Sequence, residues 1–130
     1  MIDRLLSDPA SAALTKSLQG ASRRQEALAN NIANIETPGY QRQDVHFEEA
    51  LQSALESSSG DPEEAARALE GLEFAVTPDS SDPTSPDGNN VNIDHEMSEL
   101  AKNSLRFDSS ATTLALKIRM LRTAITEGRR

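Results

Sequence analysis

The chain has 130 residues, room for one domain, with 3% aromatic residues, no Trp and no Cys. So low an aromatic content argues against a large compact core, and the missing Cys excludes disulfides and thiol chemistry. A net charge of −8 argues against nucleic acid as a partner, and the charge is uneven: residues 1–43 carry +1, residues 44–99 carry −14 and residues 100–130 carry +5.

The opening stretch, MIDRLLSDPASAAL, has no basic start and no long apolar run, so no cleaved signal peptide is expected. No run anywhere approaches the ~20 apolar residues of a membrane span. Asp8 followed by Pro9 predicts a helix start, with Pro at the first helical position. From there Leu14, Leu18, Ala21, Gln25, Leu28, Ile32 and Ile35 follow a heptad spacing, and Pro38 stops the helix near Glu36. The first long helix is thus expected over residues 9–36. Asn30, Asn31 and Asn34 fall in its last turns, where Asn is a poor helix former, and they read as side chains kept to bond something. Thr37-Pro38-Gly39-Tyr40 fits a type II turn, predicted to send Tyr40 outward.

The acidic middle, residues 37–91, is expected to be turn, short helices and loop. Phe47, Leu51, Ala54 and Leu55 predict a short helix over 46–57, and Asp61-Pro62 opens a second one ending at Glu70 before Gly71. Residues 77–90, TPDSSDPTSPDGNN, read as a loop or a disordered segment. Phe74, Val76, Val91 and Ile93 suggest a small strand pair around it.

A second, longer helix is predicted over 92–127. Ile93, Met97, Leu100, Ser104, Phe107, Ala111, Leu114, Ile118, Leu121 and Ile125 form its heptad series, with Asn92 or Asp94 as cap and Gly128 as stop. Leu105, Leu116 and Met120 point away from this seam, so the helix has a second apolar stripe. Neighbouring subunits, or the chain's own middle, would cover it. The fold class expected is mainly α: long terminal helices paired as an antiparallel coiled coil, with a loop-rich acidic middle and little or no β.

Catalysis finds no foothold. His46 and His95 stand in different halves, neither with a metal-ligand neighbour at helical spacing, and phosphate-binding loops and nucleophile elbows are missing. No catalytic, cofactor-binding or metal residue is assigned, and no cofactor is expected.

Residues 23–51, RRQEALANNIANIETPGYQRQDVHFEEAL, resemble the N-terminal signature of bacterial flagellar axial proteins, the rod, hook and hook-associated subunits. The turn motif is Asn30, Asn31, Asn34, Thr37, Pro38, Gly39 and Tyr40. Residues 87–94, DGNNVNID, with Glu96-Met97, Leu100-Ala101, residues 103–107 and residues 117–125, resemble the closing helix of the proximal members of the rod family. The resemblance implies a structural subunit of the flagellar basal body that polymerises helically in the periplasm into a drive shaft. The partners it implies are the chain itself, other rod proteins, the MS ring with its adaptor FliE, and the flagellar type III export apparatus, with no nucleic acid and no small-molecule substrate. An early Phe-containing export motif of that family is not matched: no Phe precedes Phe47, leaving Ile2, Leu5, Leu6, Leu14 and Leu18 as apolar residues there. Two other readings remain open: another short axial rod protein, or a helical-hairpin chaperone or adaptor for export.

Overall fold

A computed structural model describes residues 8–128; Ile2, Leu5, Leu6 and Arg129 lie outside them. Helix α1 spans Pro9–Ala33, capped by Asp8, whose carboxylate accepts from the Ser11 amide at 2.9 Å. Strand β1 is Gln43–Asp44, helix α2 is Phe47–Ser57 and helix α3 is Pro62–Glu70, with Asp61 as its N-cap. Strand β2 is Thr77–Pro78, and helix α4 spans Ile93–Glu127, capped by Asn92, which accepts from the amides of Asp94 and His95. The chain is mainly helical.

Helices α1 and α4 lie antiparallel along each other. Asp8 meets Lys117, Ser17 meets Ser110, and Asn31 meets Glu96. Helices α2 and α3 pack on α1. Lys16 Nζ donates to the Leu72 carbonyl at 2.8 Å, tying the end of α3 to α1. The core is small: Ala21, Ala27, Val45 and Phe47, with Leu51, Phe74 and Val76 around them. Phe47 and Phe74 meet edge to face at 6.0 Å. Gly20 makes room for this contact, since a Cβ there would lie 2.4 Å from Phe47 Cγ.

Helix α1 ends at Ala33, three residues before the expected stop. The Asn89 amide explains it: Nδ2 donates to the carbonyls of Asn34, Ile35 and Thr37 at 2.8–3.1 Å, taking acceptors that a further helical turn would use. The strand pair also differs from expectation. Gln43 opposes Pro78 and Asp44 opposes Thr77, while Ile93 opens α4. The pairing reaches β1 because Arg42 and the backbone beside it are bonded to residues 79 and 90. The same bonds order the segment 77–90 read from sequence as loop or disorder.

The largest difference lies in how α4 meets α1. Leu100, Leu114 and Leu121 are half-buried, as a heptad series requires. Their companions are Glu96, Asn103, Ser110 and Lys117, one residue before the expected Met97, Ser104, Ala111 and Ile118. With one series kept and the other moved back a residue, the seam turns by about half of the 100° that one residue spans. Met97, Ile118 and Ile125, expected in the seam, are therefore exposed in the single chain, and Phe107, in the same series as Leu100 and Leu114, is 41% exposed as well. The rotation follows from hydrogen bonding, because each of the four polar residues finds a polar partner on or beside α1. A buried carboxylate or amide without one would cost several kcal/mol (on the order of 1–3 for an amide, more for a charge).

Candidate functional site

The chain leaves α1 through Thr37-Pro38-Gly39-Tyr40. The Tyr40 amide donates to the Thr37 carbonyl at 3.2 Å, and Gly39 has φ +74°, the left-handed conformation that a type II turn needs at that place. Residues 87–90 clasp this corner. The Gly39 amide donates to the Asp87 carbonyl at 2.9 Å, and Gln41 Nε2 to the Gly88 carbonyl at 2.7 Å. The two sequence segments that carried the resemblance thus meet in space.

Asn31 sits at the centre, fully buried. Its Oδ1 accepts from the Gln43 amide (2.9 Å) and the Tyr40 hydroxyl (3.2 Å). Its Nδ2 donates to the Gln43 carbonyl (2.8 Å) and to Glu96 Oε2 (3.0 Å). One side chain binds a strand backbone at both its groups and holds α4 as well. Asn34 is bonded locally: Nδ2 donates to the Asn30 carbonyl, and Oδ1 accepts from Thr37. Asn30 is exposed and contributes that carbonyl. Tyr40 does not project outward as expected. It lies half-buried because its hydroxyl reaches Asn31, and burial, with the Glu96 charge, raises its pKa.

Arg42 was not singled out by the sequence, yet it is 1% exposed and organises the other half of the junction. Nε donates to Glu96 Oε1 at 2.6 Å, Nη1 pairs with Asp79, and the Arg42 amide donates to Asn90 Oδ1 at 2.6 Å. Burial works against its charge, but Glu96, Asp79 and Asp44 outweigh it and raise its pKa. A second cation, Arg24, joins α1 to β1 and α2. It reaches Asp44 at 3.0 Å and both oxygens of Glu48 at 2.7 Å, with its guanidinium 4.6 Å from the centre of the Phe47 ring. Two arginines thereby anchor the acidic middle. Asn89, Asn90, Glu96 and Asn103 were likewise missed as buried groups, because a polar residue on a helix or loop ordinarily faces water.

These side chains are occupied by one another and hold the terminal segments in one geometry. What the molecule leaves open is apolar. Leu105 is 68% and Met120 65% exposed, Leu116 about half, and on another side of the helix Met97, Phe107, Ile118 and Ile125 are uncovered too. On α1, Leu14, Leu18 and Ile32 are half-buried and Leu28 is fully buried; Ile35, just past its end, is half-buried too.

Known proteins resemble this chain in sequence. The sequence profile of the flagella basal body rod protein family matches residues 14–41, which is α1 and the corner it ends in. The chain is similar to the flagellar basal body rod protein FlgB of Escherichia coli K12, 31% identical, with 98% of this chain and 99% of that protein covered. FlgB of Salmonella typhimurium is 32% identical over 92% of this chain and 93% of its own. FlgB of Bacillus subtilis is 30% identical over 89% and 92%. The similarity runs through both clasped segments and the whole of α4, and on it this chain belongs to the FlgB family of flagellar basal body rod proteins.

Proposed function

We propose that this chain polymerises as a proximal rod subunit, with α1 and α4 forming the coiled-coil inner layer of a periplasmic shaft joined at its base to the MS ring and its adaptor FliE. The observation that carries this reading is the set of apolar side chains on two sides of α4 that the chain's own packing leaves bare. A soluble monomer rarely exposes so much apolar surface on one helix, whereas an open helical assembly requires subunits with several different sticky faces. Leu105, Leu116 and Met120 are the residues assigned to subunit–subunit packing. Met97, Phe107, Ile118 and Ile125 are added to them, since within one chain they contact too little to be buried. The corner at residues 30–40 sets the angle at which the middle leaves the helix pair. Passage through the flagellar type III export apparatus belongs to the same proposal.

An epitope-tagged chain is expected to co-purify with basal bodies and to appear in the rod by electron microscopy. The double variant Leu116→Glu, Met120→Glu is expected to be expressed normally but to build no rod. Absence of the tagged wild-type chain from purified basal bodies would sink the reading.

A further inference from the structure

We infer that the groove between α2 and α4 receives the basic end of α4 from a neighbouring copy of this chain. The groove encloses about 630 Å³. Phe47, Leu51 and Leu55 line one side and Leu105 the other, with Leu55 42% exposed. Its rim on the α2 side is acidic. The carboxylates that line it there are Glu48 and Glu56. Glu48 is answered within the chain by Arg24 and Arg106, but Glu56 bonds the neutral amide of Gln52.

The complementary surface is on the same chain and cannot be used by it. Lys117 makes the last side-chain bond from α4 to the rest of the chain among the described residues, to Asp8. Helix α4 continues ten residues further, to Glu127. At ~100° per residue, Leu116, Met120 and Thr123 share one face, and Arg119 lies at its edge. Residues 116–127 span roughly 18 Å and α2 roughly 16 Å at ~1.5 Å per residue. An apolar ridge with a basic edge therefore matches an apolar trough with an acidic rim in both length and charge. Ridge and trough are different faces, so the contact is heterologous and passes from each copy to the next. The inference rests on the rod reading for the premise that copies adjoin.

The chain has no Cys, so Leu55→Cys with Met120→Cys places the only two thiols across the contact. In basal bodies from cells lacking the native copy, a short bismaleimide is expected to join chains into covalent multiples, and neither single variant to do so. Basal bodies that contain the double variant but yield no multiples, or yield conjugates to a protein of another mass, overturn the inference and leave the rod reading intact. Charge reversal decides the case if the double variant is not incorporated. Glu56→Arg is expected to reduce basal bodies several-fold, and Arg119→Glu in the same chain to restore them. Loss without that rescue overturns the pairing. Absence of the wild-type chain from basal bodies would instead defeat the rod reading itself.

Discussion

Asn31 is a helical residue whose amide pairs with the backbone of Gln43 as a neighbouring strand would. Replacing it with Ala removes four hydrogen bonds and leaves the Gln43 amide and carbonyl without partners. Each such group costs ~1–3 kcal/mol, so Asn31→Ala is expected to destabilise by about 2–4 kcal/mol, roughly 10 °C in melting temperature. Asn31→Asp keeps the acceptor for Gln43 but sets a carboxylate beside Glu96, and should be no milder. Thermal unfolding followed by circular dichroism checks both, and a loss under 1 kcal/mol for the Ala variant would show that Asn31 is not the centre of the junction. Three Asn residues at a helix end were legible as odd for a helix. That only Asn31 is the buried one was not, because the choice depends on where β1 and α4 lie. Arg42 left no sequence signal, since nothing local separates a buried Arg from a solvated one.

The elements themselves were largely readable. Pro at the first helical position, Asx caps and Gly after the last turn mark α3 and α4 to within a residue. The face of α4 was not readable. Two heptad registers fit the same helix, an apolar one through Met97 and Ile118 and a polar one through Glu96, Asn103, Ser110 and Lys117, and both contain Leu100, Phe107, Leu114 and Leu121. Hydrophobic periodicity favours the first, while partners on α1 select the second. Asn103 tests this balance. Its Nδ2 donates to the Ala21 carbonyl at 2.8 Å and to Gln25 at 3.0 Å, but its buried Oδ1 has no partner. Removing this side chain deletes the orphaned oxygen without stranding its partners, since the Ala21 carbonyl lies inside α1 and Gln25 is exposed to water. Asn103→Leu should therefore leave the folded chain as stable or raise it by about 1 kcal/mol. Urea titration measures this, and a loss above 1 kcal/mol would mean that the amide bonds outweigh the orphaned oxygen.

For the whole molecule, acid should be the sensitive direction. Burial tends to raise the pKa of Asp79, but the bonds from Ser81 and the Arg42 charge bring it below its usual 3.8. Asp8 is likewise lowered, with the Lys117 and Ser11 bonds outweighing burial. Glu99 is lowered from 4.5, mainly by its bond with Lys102. A depressed folded pKa stabilises above the unfolded value and loses that contribution as pH falls through the folded one. Melting temperature should thus hold from pH 7 to 5 and drop as pH falls below about 4, the unfolded carboxylate range. Asp79→Asn should flatten part of that drop, and an unchanged acid profile would count against the Arg42 pairing. The cross-links between α1 and α4 differ along their length: carboxylate to ammonium, hydroxyl to hydroxyl, amide to carbonyl, amide to carboxylate. Sliding one helix by a heptad would put Lys117 against Ser17 and Asn103 against Asn31, and would strip Arg42 of Glu96. The pair behaves like a keyed spline, resisting axial shear at four unlike teeth where a greased apolar seam would let the helices creep.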